Sequence, residues 1–120
     1  MKGVNITTIK VAHEDNRRKL SLIINGDFIA REVKLIKVKQ LSILGNHYHY
    51  CSELFYVLEG TATYTLKSVK TGEIQVVELN KGNRLRIAPE IAHRVEMDKG
   101  TVTIEAMDKL YEDPEVYDDF

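Results

Sequence analysis

Tryptophan is absent from the 120 residues, cysteine occurs once, proline twice and glycine seven times. The lone thiol, Cys51, can close no internal disulfide, so a packed core must hold the fold, and a reducing compartment suits such a chain. We read Cys51 as a small packing residue. Proline and glycine are too scarce for a collagenous or low-complexity chain. An excess of one charge is missing too: 17 Lys and Arg stand against 18 Asp and Glu, a net of −1. That balance withholds the bulk attraction nucleic acid or anionic lipid requires. No apolar run approaches the ~20 residues of a membrane span, and Met1-Lys2-Gly3-Val4-Asn5 opens no signal peptide. The expectation is a cytoplasmic chain with no nucleic-acid or membrane partner.

What is present is an ordinary globular composition, 43% hydrophobic and 29% charged, at a length that predicts a single domain over 1–120. The charges are divided unevenly, with residues 1–44 carrying +5 and the remainder −6. An acidic stretch, about 110–120, holds Glu112, Asp113, Glu115, Asp118 and Asp119 and reads as a tail laid over a neighbour. Between the ends, short runs rich in Val, Ile, Thr and Tyr recur at intervals of ~8–12 residues, the pattern of an antiparallel sandwich or barrel. They predict strands over Val4 to Val11, Leu20 to Asn25, Arg31 to Leu41, Asn46 to Tyr50, Leu54 to Glu59, Thr61 to Lys67, Ile74 to Leu79, Leu85 to Ile87, His93 to Met97 and Thr101 to Met107. The turns Asn25-Gly26-Asp27, Lys70-Thr71-Gly72-Glu73 and Asn80-Lys81-Gly82-Asn83 predict hairpins. Helical spacing surfaces only around Leu110 to Val116, where Pro114 interrupts it. An all-β chain of this kind must curl or close to protect its edges, which points to a double-sheet jelly-roll barrel.

Three of the four histidines fall in Gly45-Asn46-His47-Tyr48-His49-Tyr50-Cys51-Ser52-Glu53 and Ala88-Pro89-Glu90-Ile91-Ala92-His93. On a strand His47 and His49 project from one face, their Cα atoms ~6.6 Å apart. Glu53 can bring a carboxylate beside them after a turn, and His93 is the available third imidazole. Such a shell suits a divalent metal: Zn if four-coordinate, or Fe, Mn, Ni or Co if water or substrate fills further positions. The bland alternative is two surface strand histidines and one in a loop.

The spacing His47-x-His49-x3-Glu53-x6-Gly60 resembles the first motif of the cupin superfamily, and Gly82 through Pro89-x3-His93 resembles the second. In the second, Gly82 to Pro89 is one residue longer than the common form, Ile91 replaces a usual glycine and Met97 stands where many members have Asn. The resemblance implies a small jelly-roll barrel whose metal is held by His47, His49, Glu53 and His93, and it implies a homodimer. The Gly-Asn-His-Tyr-His run and Asp113-Pro114-Glu115 are similar to cupins of polysaccharide and nucleotide-sugar metabolism, including dTDP-sugar ketoisomerases and dTDP-4-dehydrorhamnose 3,5-epimerases. Several of those use histidine as acid or base without metal, so His47 and His49 are also candidates for proton transfer.

Three functions follow as expectations. The first is an isomerase or epimerase of a sugar or sugar nucleotide, moving a proton next to a carbonyl with metal or histidine assistance. The second is an Fe(II) oxygenase using the same ligands, and the third a non-catalytic small-ligand module. Tyr64 is a candidate proton donor, because the alternation Ala62, Tyr64, Leu66 turns it inward; the competing reading is a core tyrosine. Phe55 shares the parity of Glu53 and is a candidate cavity wall. Arg84 and Arg86, two apart on one face, are candidates to grip a diphosphate.

Overall fold

The computed structural model describes all 120 residues. The strands are β1 Val4–Thr8, β2 Val11–Glu14, β3 Lys19–Ser21, β4 Glu32–Lys37, β5 Ser42–Tyr48, β6 Glu53–Glu59, β7 Thr61–Ser68, β8 Ile74–Asn80, β9 Asn83–Ile87, β10 Ile91–Met97, β11 Val102–Met107 and β12 Glu115–Val116. There is no helix, and hence none long and apolar enough to cross a membrane. Two five-stranded antiparallel sheets face each other, ordered β1-β9-β6-β11-β4 and β12-β5-β10-β7-β8, while β2 and β3 pair only with one another. The all-β, double-sheet barrel expected from the sequence is therefore the architecture found.

Alternation builds the interior. On β7 Ala62, Tyr64 and Leu66 are fully buried, and they meet Phe55 and Val57 of β6 and Leu85 and Ile87 of β9 in one core. The outer face of β6 is covered as well: Leu54 packs with Ala106 of β11 and with Phe28, flanked by Ile23 and Ile24. Ile23 and Ile24 belong to a stretch predicted as a strand over Leu20 to Asn25. The strand β3 ends at Ser21, and the chain then runs as an irregular strap over the first sheet. Its apolar residues find a packing surface there without needing a ladder partner.

Other boundaries differ for similar reasons. The run Val4 to Val11 splits between β1 and β2, and Asn25-Gly26-Asp27 lies in the strap. Lys70 to Glu73 does join a hairpin, β7 to β8. By contrast Asn80 to Asn83 links β8 of the second sheet to β9 of the first, so this turn is a crossing between sheets. The acidic C-terminal stretch lies on this chain's own barrel: Glu115 and Val116 form β12, opposite Tyr48 and His47 of β5.

Candidate active site

The local sequence Gly45-Asn46 aims the first histidine. Across β5 and β10, Leu44 pairs with Val95 and Gly45 with Arg94, yet the next partner of His93 is His47, so Asn46 is an inserted residue. Gly45 has φ +96° and Asn46 φ +60°, the left-handed conformations that a glycine and an asparagine accept at a bulge. A Cβ at Gly45 would meet the His93 carbonyl oxygen at 2.6 Å. The bulge swings His47 into the barrel directly opposite His93. One residue beyond β5, His49 is fixed through its carbonyl, which accepts from Glu90 N at 2.9 Å. Glu53 opens β6 and points inward with Phe55 and Val57.

These four side chains meet. The ring of His47 lies 5.0 Å from that of His49 and 4.7 Å from that of His93, all centroid to centroid. Glu53 Oε1 is 3.6 Å from His49 Nε2, and its Oε2 is 3.6 Å from His93 Nδ1. His49, Glu53 and His93 are only 8%, 5% and 4% exposed, so desolvation governs their protons. It lowers His47 to about 4 and His93 to about 3, each aided by a neighbouring imidazole, and it lowers His49 as well. Burial, seconded by the Glu105 carboxyl, raises Glu53 to about 8. Near neutral pH the imidazoles are uncharged and the carboxyl keeps its proton, so the 3.6 Å approaches are contacts of neutral groups.

The same donor set was expected to hold a divalent metal. As folded, no three His, Cys, Asp or Glu side chains are disposed to hold an ion, and His93 Nδ1 is buried without a hydrogen-bond partner. His47, His49, Glu53 and His93 are the side chains that would hold such an ion, and the chemistry below is that of these side chains alone.

The remaining candidates divide. Phe55 is packed between Tyr64 and His93, with ring centroids 5.1 and 5.4 Å away; it is a wall of the site rather than an exposed binding surface. Tyr64 faces inward as expected, fully buried, its hydroxyl unpartnered and its phenol held well above its ordinary range by burial. Arg84 and Arg86 are not at this site. They point out of the barrel, because Leu85 and Ile87 take the inward positions of β9. Arg84 donates to the Ile23 carbonyl at 2.9 Å and pairs with Asp27 at 2.6 Å. Arg86 donates to the Asp27 carbonyl at 2.7 Å and lies over the Phe28 ring. Both pin the strap. The groove of about 430 Å³ that they line lies on the outside of the first sheet, away from the clustered titratable groups that mark a reactive centre.

Two inward residues belong to the site that the motifs did not single out for it. Glu105 of β11 sits opposite Phe55 on one side and Lys34 of β4 on the other, and burial raises its carboxyl too. Lys34 Nζ is 3.0 Å from Glu32 Oε1 and 5.4 Å from the centre of the Tyr111 ring. The available signal was parity: Glu105 lies two residues from Thr103 and from Met107, both buried on the inner face.

No family model matches the chain, and no curated protein matches it either. Solved structures share its fold. The 3,4-ketoisomerase QdtA from Thermoanaerobacterium thermosaccharolyticum, in complex with TDP-4-keto-6-deoxyglucose, superposes with a TM-score of 0.79 at 20% identity, covering 94% of this chain and 85% of that one. The TDP-fucose-3,4-ketoisomerase WlaRA from Campylobacter jejuni gives 0.78 at 22% identity, with 93% and 85% covered. The dTDP-4-dehydrorhamnose 3,5-epimerase from Sulfolobus tokodaii gives 0.82 at 17% identity, with 94% and 74% covered. With its two facing sheets and its inward histidines, this chain has the cupin-like barrel fold that these structures share.

Proposed function

We propose that the protein is an isomerase or epimerase of a sugar nucleotide, working by histidine-assisted proton transfer beside a carbonyl. The observation that carries this reading is the convergence of three imidazoles on one carboxyl, 3.6 Å from two of them, in a buried site where desolvation favours the neutral forms. Base and acid then coexist at neutral pH, which is what enolisation requires. His47 or His49 takes the proton from the carbon next to the carbonyl, and Glu53 gives its proton to the carbonyl oxygen, forming an enediol. Collapse returns the histidine's proton to the neighbouring carbon or to the opposite face, and Glu53 recovers its own from the hydroxyl. Atoms and charge balance with no external reactant. Glu53 is the better acid, since the phenol of Tyr64 is held further from ionisation. The solved neighbours with this fold are ketoisomerases and epimerases of TDP sugars by name, which supports the substrate class.

The test is incubation with TDP-4-keto-6-deoxyglucose in deuterated water, followed by NMR. Deuterium is expected to enter at the carbon beside the carbonyl, and His49→Asn is expected to slow its entry by about 10²-fold or more. Chelator is expected to leave the rate unchanged. Absence of both incorporation and binding would overturn the reading, while incorporation that chelator abolishes would return the four side chains to a metal.

A second copy of the chain is the partner we assign. Val33 and Leu35 on the outer face of β4 are 63% and 69% exposed. Val33 lines a groove of about 330 Å³ whose other walls are almost wholly apolar, among them Ile23, Leu54 and Ile104.

A further inference from the structure

On the side of the C-terminal segment the histidine cluster is closed. The void beside His49, bounded by Cys51, Met107, Leu110, Glu112 and Asp113, measures about 10 Å³, which is the room of roughly one water. A sugar ring needs far more. Most of the surroundings cannot yield cheaply, because β5, β6, β10 and β11 are laddered into the two sheets. The segment 109–114 is different: it lies in no strand and crosses the pocket from the end of β11 to β12. Its far end is held by the two residues of β12 and by Tyr117 N, which donates to the Asn46 carbonyl at 2.8 Å. Beyond that it is anchored by the Tyr117 ring against Tyr48 and beneath Lys67, by Lys67 on the Asp119 carbonyl and carboxylate, and by Arg94 over the Phe120 ring. Local opening is cheapest where so few backbone bonds must break.

We propose that residues 109–117 form the door of the histidine pocket: β12 unpairs from β5, the crossing segment lifts to admit the substrate, and it re-pairs over it. Lifting also withdraws the Tyr111 ring from Lys34, leaving a cation at the mouth. It carries away the carboxylates of Glu112, Asp113 and Glu115, which oppose a phosphate-bearing ligand while the door is shut. The identity of that ligand rests on the function proposed above; the door does not.

Cys51, 6% exposed on the pocket wall, is the reporter. The full chain is treated with iodoacetamide without substrate, and alkylation is followed by mass spectrometry. Tyr117→Pro removes the N–H that bonds Asn46 and is expected to raise the Cys51 rate about tenfold or more. Tyr117→Phe keeps that bond and the ring and is expected to match the parent. Equal rates in the proline variant and the parent would overturn the proposal. If Tyr117→Pro lacks the parent's circular dichroism, amide exchange on the unaltered chain decides. The Tyr117 amide, bonded to the Asn46 carbonyl while the door is shut, exchanging many-fold faster than β10 supports the door, and protection equal to that of β10 overturns it. Because no sugar nucleotide enters either measurement, a failed door leaves the proposed reaction standing, and a failed reaction leaves the door.

Discussion

At the scale of single residues the barrel interior sets protonation, and protonation sets stability. In the unfolded chain the histidines titrate near their ordinary 6.5, whereas in the fold His47 and His93 stay neutral down to about 4 and 3. Between those values the unfolded state binds more protons, so stability rises with pH. The carboxyls act in the opposite sense: Glu53, ordinarily near 4.5, keeps its proton to about 8 in the fold, and Glu105 is raised as well. Stability from these two falls as pH climbs through that window. His47 and His93 together outweigh Glu53 below about 6.5, and only the carboxyls act above it. Tm measured across pH is therefore expected to rise from pH 4, peak around 6.5 and decline toward 8; a steady rise through 8 would contradict these assignments. Glu53→Gln should flatten the decline. Tyr64→Phe removes an unpartnered buried hydroxyl, so its Tm is expected to equal or exceed that of the parent, with kcat changed by no more than roughly threefold, because Glu53 is the stronger acid. Strand parity put His47 and His49 on one face, and the resemblance of the longer spacing to two cupin motifs added Glu53 and His93. It did not exclude Arg84 and Arg86, although the apolar Leu85 and Ile87 between and after them show which face of β9 is inside.

At the scale of elements, turns and coverings decide most. Gly60 links β6 to β7 at φ +85°, and a Cβ there would lie 2.4 Å from Thr101 Oγ1 and 2.8 Å from its Cα. Thr101 Oγ1 donates to the Thr61 carbonyl, so it cannot yield freely. Gly60→Ala is expected to lose more than the ~1–2 kcal/mol of left-handed strain alone, read as a lower urea midpoint. The strap that carries Phe28 is the second case. Phe28 covers Leu54 and Ala106, and Phe28→Ala is expected to cost about 3–5 kcal/mol in the same assay. A cost below 1 kcal/mol would mean that the strap is not packed as described. The run Leu20 to Asn25 resembles a strand in sequence because Ile23 and Ile24 are half-buried against the first sheet; whether a ladder accompanies that packing depends on a neighbouring edge.

At the scale of the whole molecule, β2 and β3 form an isolated pair, exposed along their length except at Leu20. A lone hairpin is marginal in water, and together with the apolar outer face of β4 it gives the chain two surfaces that a second copy would cover. Light scattering is expected to give twice the 13.8 kDa of one chain, and Leu35→Glu is expected to halve it; a parent that is monomeric at high concentration would remove the dimer. The sequence alone determined the all-β class and the inward faces of most strands, because those follow from a two-residue period and short turns, while the gathering of His47, His49, Glu53 and His93 was implied by the resemblance of their spacing to two cupin motifs. Only the tertiary structure decided which turns cross between sheets, that the arginines serve the strap, and that the C-terminal segment shuts the pocket. Each of these depends on which edges and faces distant segments leave free, a property of the assembled barrel that no local window of sequence contains.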